Sequence, residues 1–336
     1  MRYSNIELLR IVCMLMIICG HTMGAHHTIY DLTSFDEVIK LLVLSVVNVA
    51  VDTFVIISGY FGIKMNWTKL ARLETQVIFY SVVLFLIAIL MGWHTMNLKK
   101  DIGVFMPILT KQYWFITCYF VLFAISPLLN EWADSLCKNR YFRLLIGGAL
   151  LVYAWPTYSY LLNTDQFIGD SGFGIVNFVY LYMLGRYIKI HYFEKFTAIH
   201  YFGGYLAAVT LLFACHFGLS WVFGFEFTSF YCYNTIFVFA GAVLLFMAFK
   251  NMSFSSRVVN WLAKPCLAVY LIHFNRYIWH NVCRIIDVPS YHGMQLIVVV
   301  ILVPVVIYLI CVVIEFCRIQ LFGKLENYIV SLLPLK

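Results

Sequence analysis

Charge is what this 336-residue chain has least of. Only 12% of its residues are Asp, Glu, Lys or Arg, about half the share with which a soluble domain covers its surface. That excludes an ordinary water-soluble globule. Proline is also scarce, at 7, and no polar low-complexity tract occurs, which leaves no room for a disordered domain. The 10 cysteines contain no CxxC pair, and Cys13, Cys19, Cys118, Cys215, Cys232, Cys266 and Cys311 lie in apolar stretches. They read as small hydrophobic residues rather than as disulfides or metal ligands. The formal charge of +7 comes from basic residues that never form a run, so it speaks for membrane topology rather than nucleic acid. No GxSxG, P-loop or GxGxxG fingerprint stands in a convincing context. No internal repeat of the kind common in transporters is visible.

What is there is apolar: 63% hydrophobic residues, 18% aromatic ones and a mean hydropathy of +0.87. A bilayer core about 30 Å thick takes about 20 mostly apolar residues per helix. Ten such windows fit the chain, at about 5–24, 39–63, 72–92, 112–130, 142–161, 173–190, 199–219, 229–249, 262–283 and 294–317. The expected fold is therefore all-α and polytopic, one transmembrane domain over residues 1–336 with no soluble domain between spans. Arg2 followed by an apolar stretch resembles a signal peptide, but Glu7 and Arg10 interrupt it and no clean cleavage site follows, so it is expected to stay as the first span. With the N-terminus cytoplasmic, the inner segments collect 17 of the 23 basic residues. The outer loops near His26, Asp165 and Glu226 hold none. The positive-inside rule then puts both termini in the cytoplasm, with the loop after span three discordant.

Ionisable groups at membrane depth are costly, and each is by default a site candidate. In span one, Arg10 and His21 are eleven residues apart, which is about 20° beyond three full turns and about 16 Å of rise. They share one face, with Glu7 a turn below Arg10. Snorkelling to the two interfaces is the bland alternative. In span two, Asp52 lies near mid-membrane and must face protein, while Ser58 and Gly59 serve either helix packing or substrate. In span nine, His273, Arg276 and His280 fall at i, i+3 and i+7 on one face. A metal there lacks a third ligand. Aromatic residues crowd the outer side, among them Tyr113, Trp114, Trp155, Trp221 and Tyr233. They read as an interfacial belt or as stacking platforms for sugars.

Four segments in order, IELLRIVCMLMIICGH with its Arg-x10-His spacing, VDTFVIISGYFG, YWFITCYFVLFAISPLLN and LAVYLIHFN, resemble the acyltransferase-3 family of integral membrane acyltransferases. The resemblance implies transfer of an acyl group, commonly acetyl from acetyl-CoA, to hydroxyls of surface polysaccharides or lipid-linked sugars. It also implies that Arg10 and His21 are the motif pair on which transfer depends, in a stand-alone member without the appended esterase-like domain. The expected donor site is then Arg10, Lys69 and Arg72 around the CoA phosphates. His21 is the expected general base, with Arg276 or His273 stabilising the oxyanion, or else a covalent acyl-His forms. Asp52, Ser58, Tyr113, Trp114 and His280 are the expected substrate side. The setting is a bacterial-type inner (plasma) membrane, with acyl-CoA, a glycan acceptor and lipid as partners and neither metal nor nucleic acid. A flippase for a glycolipid or small anion, or a non-catalytic scaffold, are the rival readings.

Overall fold

The computed structural model describes residues 3–23, 33–162, 164, 166, 168–192, 195–223 and 228–332, and among these no strand occurs. In chain order the main helices are α1 (Ser4–Thr22), α2 (Phe35–Val47), α3 (Ala50–Phe61), α4 (Trp67–Leu90), α5 (Trp114–Ser135), α6 (Lys138–Leu161), α7 (Ile175–His191), α8 (Ala198–Phe223), α9 (Ile236–Lys250), α10 (Arg257–Leu262), α11 (Cys266–His273), α12 (Trp279–Ile286) and α13 (Gly293–Leu332). Seven segments are long and apolar enough to cross a bilayer: α1, α2 with α3, α4, α5, α6, α8 and α13. α7 has 17 residues and α9 has 15, at the places of the sixth and eighth windows. The loop positions His26, Asp165 and Glu226 lie outside the described residues.

The ninth window is not one helix. Pro265 separates α10 from α11, and α11 stops at His273. The stop has a local cause: the Asn275 Oδ1 accepts from the Tyr277 backbone N–H at 3.0 Å, and its Nδ2 donates to the Tyr113 hydroxyl at 2.8 Å. A side chain that bonds its own backbone two residues on offers the chain an alternative to the helix. The expected single face of His273, Arg276 and His280 therefore does not exist. Arg276 and His280 are exposed, whereas His273 is buried.

The tenth window is too short, because α13 runs for 40 residues. Glu315 and Arg318, at and just past the end of that window, are buried. Arg318 donates to Glu315 through Nε at 2.7 Å and Nη2 at 2.9 Å, and to Glu326 at 2.7 Å. Gln76 and Tyr80 of α4 also donate to Glu315, so charge that lipid would reject is satisfied between two helices.

Apolar packing falls into two large groups. One joins α3, α7 and α9 around Ile56, Phe178, Tyr182 and Phe246; the other joins α1, α4, α11 and α13 around Ile18, Val77, Leu271 and Cys311. Small residues set the tightest approach, which for Gly59 is the packing alternative of span two. A Cβ on Gly59 of α3 would collide with the Tyr182 carbonyl of α7, and one on Gly185 with the Ile56 carbonyl. Phe54 and Phe115 pack against both groups. A cavity lies on this seam.

Candidate active site

A cavity of about 430 Å³ runs along α1 between α3, α4, α5 and α11. Arg10 borders one end and His21 lies further along, so the two residues expected on one helix face do line one space. At the Arg10 end, Lys64 and Lys69 also line it, both exposed at the mouth. Arg10 itself pairs with Glu7 at 3.4 Å and keeps 35% of its side chain accessible. Asn66 caps α4 by accepting from the Lys69 backbone N–H at 3.0 Å, which fixes the start of the helix that carries Lys69. Arg72, expected beside it, is exposed and is not part of the lining. The cavity-facing positions of α4 are Lys69 and Leu73, one i, i+4 row, and Arg72 is about 100° off Leu73.

His21 stacks on Phe274, ring centroids 3.9 Å apart and planes 16° from parallel. Its Nδ1 is 3.0 Å from the His273 Nε2. The His273 Nδ1 is 2.7 Å from the Val269 carbonyl oxygen. A carbonyl only accepts, so His273 Nδ1 carries the hydrogen. In the neutral ring Nε2 is then the acceptor, and His21 Nδ1 must donate to it. That leaves the His21 Nε2 with a lone pair and without a hydrogen-bond partner among the described residues. Trp279 closes the pair from the edge, 6.2 Å from His21 and 5.5 Å from His273.

Of the other expected residues, Ser58 and Trp114 line the cavity. Tyr113, next to Trp114, is turned away: it is buried, and its hydroxyl donates to the Leu271 carbonyl at 3.1 Å. Asp52 is fully buried outside the lining, accepting from Asn177 at 3.1 Å, while Asn177 accepts from the Tyr153 hydroxyl at 2.6 Å. It ties α3 to α7. Arg276 donates to the Tyr277 hydroxyl, which donates to Asp101 at 3.2 Å. Burial works against ionisation of Asp101, but the Asn97 amide and His94 outweigh it and hold the carboxyl below its ordinary value. Arg276 thus belongs to the connector between α4 and α5, not to the cavity, and His280 is likewise outside it.

Several lining residues had no signal in the sequence. Lys64 follows Gly62, whose φ of +68° turns the chain between α3 and α4 as only glycine does readily. Tyr233 read only as a belt or stacking aromatic, and nothing singled out Tyr119. Tyr270 was legible only as the residue one turn before His273.

A bundle of long apolar helices around a cavity with cations at one end and an imidazole further in is a multi-pass membrane protein with a built interior site. A family model described as an acyltransferase domain, that of the acyltransferase-3 family, matches residues 3–316, and the chain belongs to that family. It is a membrane acyltransferase. No curated protein and no solved structure matches the chain.

Proposed function

We propose that this protein is an O-acyltransferase that moves an acyl group, acetyl in the first instance, from cytoplasmic acyl-CoA to a hydroxyl of an extracytoplasmic polysaccharide or lipid-linked glycan. In this reading it crosses the inner (plasma) membrane ten times with both termini inside, α7, α9 and the broken α10–α12 segment making up the spans beyond the seven long segments. The observation that carries the reading is one cavity shared by Arg10, Lys64 and Lys69 at one end and His21 further along. Acyl-CoA has its charge on phosphates and its thioester at the end of a thin pantetheine arm. Accessible guanidinium and ammonium groups suit the phosphates, and a largely apolar interior suits the arm.

His21 then acts as general base through Nε2 on the acceptor hydroxyl. Its tautomer is the right one, because the Val269 carbonyl and the His273 ring together place the hydrogen on Nδ1. The same geometry removes His273 from the role of oxyanion donor. Both its ring nitrogens are engaged, so it acts as a positioning residue. Arg276, outside the lining, is dropped from the reaction as well.

The test is purified protein in vesicles loaded with glycan, given acyl-CoA labelled in the acyl group. Label in the glycan is the expected result. Glycan carried across the bilayer with the acyl-CoA untouched would show a flippase instead.

A further inference from the structure

On α11, one turn before His273, Tyr270 faces the cavity. The residue is 6% exposed. Its hydroxyl is buried and has no hydrogen-bond partner among the described residues; the Phe115 backbone amide is beside it, but the pair falls short of a hydrogen bond. Buried hydroxyls are almost always satisfied, so a donor of this kind stands ready for an acceptor that comes into the cavity.

The same corner holds the start of α5. No side chain caps this 22-residue helix. The amides of Trp114 and Ile116 have no hydrogen-bond partner among the described residues, that of Phe115 faces the Tyr270 oxygen, and all three residues line the cavity. Free amides of a first turn carry the positive end of the helix dipole, so the acceptor they favour is an oxygen that bears or gains negative charge. His21 belongs to this corner too. The Tyr270 ring is 6.0 Å from His273 and 5.8 Å from Phe274, and the His21 ring is 5.3 Å and 3.9 Å from the same two.

We infer that the Tyr270 hydroxyl and the amide groups opening α5 form the site for the carbonyl oxygen of an acyl thioester and for the oxyanion it becomes. The assignment rests on the transfer reaction proposed above. In that reaction His21 Nε2 takes the proton of the acceptor hydroxyl as its oxygen bonds to the thioester carbon. The carbonyl π pair moves onto the oxygen, where Tyr270 and the α5 amides hold it. The oxyanion then re-forms the double bond, the carbon–sulfur bond breaks, and the CoA thiolate takes the proton back from His21. Neither Arg276 nor His273 is needed at that oxygen.

Tyr270→Phe keeps the ring and removes the donor. Its kcat should fall about a hundredfold, the usual effect of losing one oxyanion donor, with KM for acetyl-CoA rising by no more than about tenfold, the share of one ground-state hydrogen bond. A second measurement reads the contact directly, as the infrared carbonyl stretch of acetyl-CoA labelled with ¹³C at the carbonyl and bound to the His21→Ala protein. That stretch should lie below its value for the free donor and move back towards it in His21→Ala with Tyr270→Phe. The spectrum is taken after unbound donor has been removed, so a variant that has lost the fold and no longer binds gives no carbonyl signal rather than a shifted one. A kcat within twofold of wild type, or a stretch that Tyr270→Phe leaves unmoved, overturns the assignment while wild-type transfer leaves the proposed function standing. Wild-type protein that transfers nothing from acetyl-CoA overturns both.

Discussion

His21 contributes little apolar burial, since it is only partly buried at the end of α1, yet its ring is fixed by Phe274 and His273. His21→Ala is therefore expected to abolish transfer while the amount of protein in the membrane stays near normal, as an immunoblot beside the vesicle assay would show. Full activity in that variant would remove His21 from the mechanism. Arg10 should act on the donor. Lysine keeps the charge but not the planar fork, so KM for acyl-CoA should rise in Arg10→Lys and rise further, about tenfold or more, in Arg10→Ala. An equal KM in all three proteins would refute the donor role. Asp52 makes the opposite case, a buried carboxylate bound to Asn177 with its Oδ2 unpartnered among the described residues. Asp52→Asn keeps the acceptor for Asn177 and should be mild, whereas Asp52→Leu should cost about 1–3 kcal/mol, read as a lower melting temperature in detergent. A Leu variant as stable as wild type would sink the tie between α3 and α7. The Arg10 and His21 relation was legible in the sequence because both sit on one unbroken helix, where spacing gives the angle. Tyr270 was not, because its role depends on α5, which the sequence places far away.

Periodicity located the long helices well, since an apolar run of helical length is a local property. It failed where a side chain competes with the backbone. Asn275 ends α11 by bonding to Tyr277 and Tyr113, so the spacing that put Arg276 and His280 beside His273 had no helix to act through. It failed again at α13, where the apolar window stops at about 317 although Glu315, Arg318 and Glu326 neutralise one another and the helix continues. Removing one partner leaves the other buried and unpaired. Arg318→Ala should thus destabilise by about 3–5 kcal/mol, far more than Arg72→Ala on the exposed side of α4. Thermal unfolding of the two variants in one detergent compares them, and equal melting temperatures would mean that the ion group contributes nothing to joining α4 and α13. The small-residue reading of Gly59 is met more literally. The α3 and α7 backbones leave no space for a Cβ, and Gly59→Ala should lower abundance even though the residue touches no substrate group.

At the scale of the whole molecule, the proposed reaction needs the cavity to be reached from both sides of the membrane. The basic residues favour one orientation, with 17 of 23 on segments that the ten-span topology puts inside. The structure supplies positions to test it, because Lys69 is an exposed residue at the Arg10 end and His280 an exposed residue just beyond the His21 pair. Single cysteines at these two positions, in a background with the exposed Cys137 and Cys317 replaced by serine, give labelling sites of opposite expected sidedness. A membrane-impermeant maleimide added to intact cells should modify the cysteine at 280 and spare that at 69, and inverted vesicles should reverse the pattern. Acyl-CoA should then protect position 69 in inverted vesicles, since that mouth is where its phosphates are held. Labelling of both positions from one side would break the proposed topology, and with it the idea that donor and acceptor meet at His21 from opposite faces of the bilayer.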